Sequence, residues 1–71
     1  MMVYKNIRAI REDNDITQAQ MATYLNISQH TYSRYETGEI EWTAGTLIKV
    51  ADYFGVSIDY LLDRTSTKEL A

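Results

Sequence analysis

Four times along this chain a large apolar residue stands directly before a serine or threonine, and a second large apolar residue follows four positions after it. The sets are Ile16, Thr17 and Met21; Ile27, Ser28 and Tyr32; Trp42, Thr43 and Leu47; and Val56, Ser57 and Leu61. Each reads as a helix start. The hydroxyl at the N-cap accepts a hydrogen bond from a backbone N–H of the first turn that has no partner within the helix. The two apolar residues then close over the cap as a hydrophobic staple. Gln20 stands where a capping box behind Thr17 wants Glu or Gln. One such match is weak, because serine and threonine are common. Four in register, each after a short gap, predict helices two to five of an all-α chain.

The stops agree. Gly38 and Gly55 follow helices three and four and suit the left-handed residue that ends a helix. Asn26 fills that place after helix two, and asparagine tolerates it better than most residues. Helix one spans roughly residues 4–14 by its apolar spacing and lacks a clear cap. The apolar positions that should face the core are Val3, Ile7 and Ile10; Met21, Ala22 and Leu25; Leu47, Val50, Ala51 and Phe54; and Ile58, Leu61 and Leu62. With no proline and three glycines, the composition favours helices joined by short turns.

The chain has 71 residues, room for a single domain whose small core makes every cap count. Residues 1–64 read as that domain and 65–71 as a short polar, frayed tail. There is no cysteine, which excludes disulfides and cysteine–zinc sites and fits a reducing cytoplasm. The one histidine, His30, cannot build a metal cluster, and no cofactor motif is present. No apolar run approaches a membrane span, and no signal-peptide pattern follows Met1. Ten acidic residues against seven basic give a net charge of −3, whereas nucleic-acid binders are usually basic. Net charge discriminates weakly in so small a domain, because in any nucleic-acid binder only the contacting face must avoid repulsion. By composition alone, this is a soluble acidic helical domain.

The joint between helices two and three says more. Leu25 and Ser28 are separated by Asn26 and Ile27 only, too short a turn for antiparallel packing. The two helices must cross steeply, in helix-turn-helix geometry. Such a crossing needs a small residue where one helix passes the other, here Ala22, and apolar residues to fill the wedge, here Met21, Leu25, Ile27, Tyr32 and Tyr35. Gln29, His30, Ser33 and Arg34 then share one exposed face of helix three, opposite Tyr32 and Tyr35. The helix's single acid, Glu36, lies at its far end.

The run from Thr17-Gln18-Ala19-Gln20-Met21-Ala22 through Leu25-Asn26-Ile27-Ser28 to Thr31-Tyr32-Ser33-Arg34-Tyr35-Glu36-Thr37-Gly38 resembles the Cro and phage-repressor type of helix-turn-helix, the XRE family. The ending Ala51-Asp52-Tyr53-Phe54-Gly55-Val56-Ser57-Ile58-Asp59-Tyr60-Leu61-Leu62 is similar to that family's fourth and fifth helices. The resemblance covers residues 7–62. It implies a five-helix lambda-repressor-like bundle whose third helix enters the major groove of double-stranded DNA. Gln29, His30, Ser33 and Arg34 would then face bases: glutamine can read adenine and arginine guanine. Thr31 and Tyr35 fall where phosphates are commonly touched, as does Gln18 at the start of helix two. Ser28 and Thr43 open helices whose N-terminal N–H groups and dipole favour an anion. Glu36 falls where the family typically pairs a carboxylate with an arginine of helix one, here Arg11. One departure stands out. Where the family often carries Lys or Arg and a proline after the glycine, this chain has Glu39-Ile40-Glu41-Trp42. Two acids there would repel a DNA backbone unless the loop tilts away.

An exposed face of Gln, His, Ser and Arg is, in an arbitrary helix, usually only a solvated surface; the short turn and Ala22 reverse that reading. Tyr4, Tyr24, Tyr53, Phe54 and Tyr60 read as core and rim. Ser33 beside His30 has no cleft or oxyanion hole, so no enzyme is expected. The leading expectation is a transcriptional repressor acting as a homodimer on a palindromic operator. The competing one is a protein-interaction module on the same fold, antitoxin-like or sequestering a regulator. The expected dimer contact is helix five, where Tyr60, Leu61 and Leu62 are consecutive. At about 100° per residue they cannot all face one core.

Overall fold

The four hydroxyl caps form as their spacing requires. In a computed structural model, which describes residues 3–65 and residue 68, Thr17 Oγ1 accepts from the Gln20 N–H at 3.0 Å while Gln20 Oε1 accepts from the Thr17 N–H at 2.8 Å, a complete capping box. Ser28 accepts from Thr31 N–H, Thr43 from Thr46 N–H and Ser57 from Tyr60 N–H, at 3.0–3.2 Å. The helices that follow are α2 (Gln18–Leu25), α3 (Gln29–Thr37), α4 (Ala44–Phe54) and α5 (Ile58–Leu61), with α1 (Lys5–Asp13) before them. Among the described residues the fold is all-α with five helices, as the sequence predicts. Among the described residues no helix is long and apolar enough to cross a membrane.

The helix ends are equally local. Asn26, Gly38 and Gly55 all sit in the left-handed region, at φ 59°, 82° and 67°. After α2 the Ile27 N–H reaches back to the Ala22 carbonyl at 2.9 Å, and after α4 the Val56 N–H reaches back to Ala51 at 3.1 Å. These six-to-one bonds satisfy carbonyls that the helix itself leaves open. Asp15 and Asp63 take the same left-handed conformation after α1 and α5, without a glycine or asparagine to announce it.

The five largest fully buried side chains come one from each helix: Ile7, Met21, Tyr32, Val50 and Leu61. Ile16, Ile27 and Trp42, three of the four residues before a cap, pack on this cluster from its edge, and the fourth, Val56, lies within it. Tyr24 and Tyr53 lie at the rim, edge to face at 4.6 Å, and the Tyr24 hydroxyl donates to the Lys49 carbonyl.

Three sequence expectations are corrected. Val3 and Ile58 are exposed rather than core-facing, at 54% and 36%. Tyr60, Leu61 and Leu62 do not form an exposed patch. Tyr60 and Leu61 are buried, and Leu62 is half-buried against the same core. The reason is that α5 is a single turn held between α1 and α4. An element that short is covered from two sides, so adjacent residues find different walls of one core. Finally, α1 does have a cap, supplied from the other end of the chain. The Asp63 carboxylate accepts from the Lys5 N–H at 2.9 Å and the Asn6 N–H at 3.0 Å, and the Asn6 side chain donates to the Tyr60 carbonyl at 2.8 Å. Of the tail 65–71, Lys68 accepts the Ser57 N–H at its carbonyl and holds its ammonium 5.8 Å from the centre of the Tyr60 ring. Residues 66, 67 and 69–71 lie outside the described residues, and the expected fraying falls mostly on them.

Candidate nucleic-acid interface

Tyr32, with no exposed surface, turns the inner side of α3 into the centre of the core. That fixes what the opposite side presents. Gln29 and His30 are exposed, and Thr31, Ser33, Arg34 and Tyr35 are partly exposed. The helix cannot roll about its axis without drawing Tyr32 out of the core, so the outward set is held rigidly.

What locks the far end of α3 is a buried ionic knot. Glu36 accepts four hydrogen bonds: from Arg11 Nε at 2.7 Å and Nη2 at 3.1 Å, from the Tyr32 hydroxyl at 2.6 Å, and from Gln18 Nε2 at 3.1 Å. Arg11 Nη1 donates in turn to the Ile16 carbonyl at 2.7 Å. The Arg11 and Glu36 side chains are 9% and 4% exposed, so the pair is desolvated. Burial pushes the Glu36 carboxyl up, but the hydrogen bonds from Arg11 and Tyr32 and the arginine's charge outweigh it and leave the group below its ordinary value. The Tyr32 phenol is pushed far up, by burial first and then by the Glu36 bond and charge. The Arg11 guanidinium is raised by its bond to Glu36, against burial. One carboxylate therefore ties α1, α2 and α3 together, as the expected Arg11–Glu36 pairing requires.

Gln18 was expected to reach a phosphate. Its side-chain amide is half-buried and donates inward to Glu36. What α2 presents outward at that point is its first turn. The same holds at Ser28 and Thr43, whose hydroxyls are occupied as caps and in turn bond the Thr31 and Thr46 hydroxyls at 2.9 and 2.8 Å. None of α2, α3 and α4 carries an acid in its first turn. By contrast α5 has Asp59 there, and the N-terminus of α1 receives Asp63. Among the described residues, the helix starts with neither an acid in the first turn nor a carboxylate cap are those of the helix pair and α4, an arrangement suited to anions.

The acidic loop after Gly38 is folded back onto α3. Trp42 stacks on Tyr35 with ring centres 4.7 Å apart and meets Tyr32 edge-on at 5.9 Å. Tyr35 is therefore both wedge and rim. Glu39 Oε2 accepts from Arg34 Nε at 2.8 Å, with the two side chains 43% and 58% exposed. Helical periodicity alone leaves Arg34 free on the outer face and Glu39 only a source of repulsion. The pairing lies five residues apart across a left-handed glycine, and that spacing was the signal available. Glu41 is exposed. Between residues 16 and 38 Glu36 is the sole acid, and its side chain is buried, so the outer face of α2–α3 carries no exposed carboxylate of its own.

Comparison with known proteins places this geometry. A family model described as helix-turn-helix matches residues 7–61. The chain is 39% identical over 69 residues to the cryptic phage CTXphi transcriptional repressor RstR of Vibrio cholerae serotype O1, covering 97% of this chain and 62% of that protein. It is 35% identical to the uncharacterized HTH-type transcriptional regulator YqaE of Bacillus subtilis, covering 97% of this chain and 60% of that protein. The chain thus spans about three-fifths of the length of these relatives. Among solved structures, the P22 c2 repressor protein in complex with synthetic operator 9T superposes with a TM-score of 0.77 at 27% identity, over 92% of this chain and 100% of that one.

Proposed function

This chain belongs to the phage-repressor type of helix-turn-helix family, the XRE family, and from that membership we propose that it binds double-stranded DNA sequence-specifically and represses transcription. The observation that carries the proposal is the outer face of α3. Gln29, His30, Ser33 and Arg34 stand there on a helix immobilised by the burial of Tyr32 and Glu36. In this reading Gln29, His30, Ser33 and Arg34 meet base edges in the major groove. Phosphates are held by Thr31, by Tyr35 and by the first turns opened by Thr17, Ser28 and Thr43. The Gln18 side chain serves mainly to brace Glu36, and its phosphate contact reduces to the backbone of that turn. The role is non-catalytic, needs no cofactor and is exercised in the cytoplasm. The neighbour whose fold it shares is a repressor seen in complex with operator DNA. The acids Glu39 and Glu41 are what favours the competing reading, a protein-interaction module, and one of them, Glu39, is drawn into a pair with Arg34.

One recognition helix reads too few base pairs for a unique genomic site. The reading therefore includes two protomers on a palindrome, with half-sites about one helical turn apart. Their contact surface is not Tyr60 and Leu61, which the core already covers. Selection of bound duplexes from a random pool tests the proposal. A repeated motif with two-fold symmetry, and two protomers per selected duplex by sedimentation, are expected. Failure to enrich any sequence would refute the reading, and one protomer saturating the selected site would refute its dimeric part.

A further inference from the structure

At the end of α3 the ion pair between Arg34 and Glu39 occupies a position that backbone geometry makes special. A left-handed residue at a helix end brings the side chain just beyond it against the side chain five residues earlier, and that contact is commonly apolar. After α2 the two residues are Ile27 and Ala22, and after α4 they are Val56 and Ala51. After α3 the same two positions are Glu39 and Arg34, whose side chains bond at 2.8 Å, although there the Arg34 carbonyl takes the Ile40 N–H rather than that of Glu39. After α5 they are Arg64 and Asp59, at 3.7 Å and with side chains 73% and 70% exposed. The α5 pair shows what helix-end geometry alone gives two charges: a loose, solvated contact. The α3 pair is closer and less exposed, and it involves a base on the face that the proposed reading turns toward DNA.

We propose that Glu39 is a specificity-determining residue, positioning Arg34 for one guanine rather than merely repelling the DNA backbone. The inference rests on the reading of α3 as the recognition helix. An exposed ion pair of this kind contributes little to folding; its consequence lies in orientation. An arginine can meet guanine O6 and N7 side-on, through Nε and one Nη, or end-on, through its two Nη atoms. Glu39 takes the Nε hydrogen, which leaves the end-on mode. The carboxylate also holds a side chain that otherwise loses its rotamer freedom on binding, and fixing it beforehand favours the complex that uses the fixed geometry. Arg34 is the single Lys or Arg between residues 12 and 48, so no other such base on these helices can take over the contact. Glu39 and Glu41 therefore have different roles although both are acids in one loop. Glu39 sharpens the choice of base, and Glu41, exposed on the other side of Ile40, acts on all sequences alike.

The test uses the full chain and the duplex it selects from a random pool, with each base pair then varied singly. Arg34→Ala identifies the pair that Arg34 reads. Glu39→Gln is expected to lower discrimination at that same pair about two- to tenfold, the change that corresponds to freeing one rotamer-rich side chain, with the other pairs unaffected. Glu41→Gln is expected to leave every ratio unchanged. A uniform rise in affinity for Glu39→Gln with all ratios retained would overturn the inference and leave Glu39 as a source of repulsion. So would an Arg34 Nε proton that, in the free parent, exchanges with solvent as fast as that of Arg64. A parent that enriches no sequence defeats the DNA-binding reading itself, a result distinct from a parent that selects well and a Glu39 variant that selects identically.

Discussion

Glu36→Ala removes the acceptor on which three helices converge, and the structure sets the size of the effect. Four hydrogen bonds are lost, two of them from a guanidinium whose side chain is 9% exposed. Arg11 keeps one bond, to the Ile16 carbonyl, but its charge is left buried without a counter-ion. Breaking such a pair from one side costs about 3–5 kcal/mol, most of it the penalty of the orphaned charge. Domains are stabilised by roughly 0.05–0.15 kcal/mol per residue, so for this chain the loss is a large share of the total. At about 4–8 °C per kcal/mol for a domain of this size, the melting temperature should fall by roughly 12–40 °C. Thermal denaturation followed by circular dichroism measures it. The double variant Arg11→Met, Glu36→Leu separates the causes: it leaves no charge buried and should melt above Glu36→Ala, while the Tyr32 hydroxyl and the Ile16 carbonyl, which lose their partners, keep it below the parent. A single variant melting within a few degrees of the parent, or a double variant no better than Glu36→Ala, would refute the reasoning, because the penalty would then not come from an unpaired buried charge.

Three further outcomes follow from the same contacts. The folded Glu36 carboxyl lies below its ordinary value of 4.5, so as the pH falls the unfolded chain takes up the proton first. Its stabilisation is full above 4.5 and is lost on acidification through the lower folded value. The gap in melting temperature between the parent and Glu36→Gln should therefore be widest above pH 4.5 and narrow as the pH is lowered below it; a constant gap would show that charge is not what the variant removes. Asp63→Ala uncaps α1, which should cost about 0.5–2 kcal/mol and speed hydrogen exchange at the Lys5 and Asn6 amides; unchanged protection there would mean that the carboxylate does not hold them in solution. Gln29→Ala should leave the melting temperature unchanged, because the side chain is exposed, while removing about 1–3 kcal/mol of preference at one base pair; equal binding of all single-pair variants by parent and mutant alike would remove Gln29 from the recognition surface.

The sequence by itself determined what lies within a few residues of itself. A hydroxyl cap, its staple and a left-handed stop each span six residues or fewer, and the backbone carries their consequence directly. Hence Thr17, Ser28, Thr43 and Ser57 were legible, as were the ends at Asn26, Gly38 and Gly55 and the steep joint that follows from a two-residue turn. The outward face of α3 follows from the same periodicity, once Tyr32 is taken as its inner side. The Arg34–Glu39 pair belongs to this local class too. It is not legible from charge counted along the chain, because the two residues meet only where the left-handed Gly38 turns the backbone around the helix end. The tertiary structure alone decided the contacts between residues far apart in the chain. Asp63 caps a helix 58 positions away. Gln18 gives its amide to Glu36 instead of to solvent. Tyr60, Leu61 and Leu62 are covered because a one-turn helix is small enough to be enclosed between α1 and α4. In each case the decision rests on which surfaces meet when the core closes, and helical periodicity, which says only that residues share a face, does not say what that face will touch.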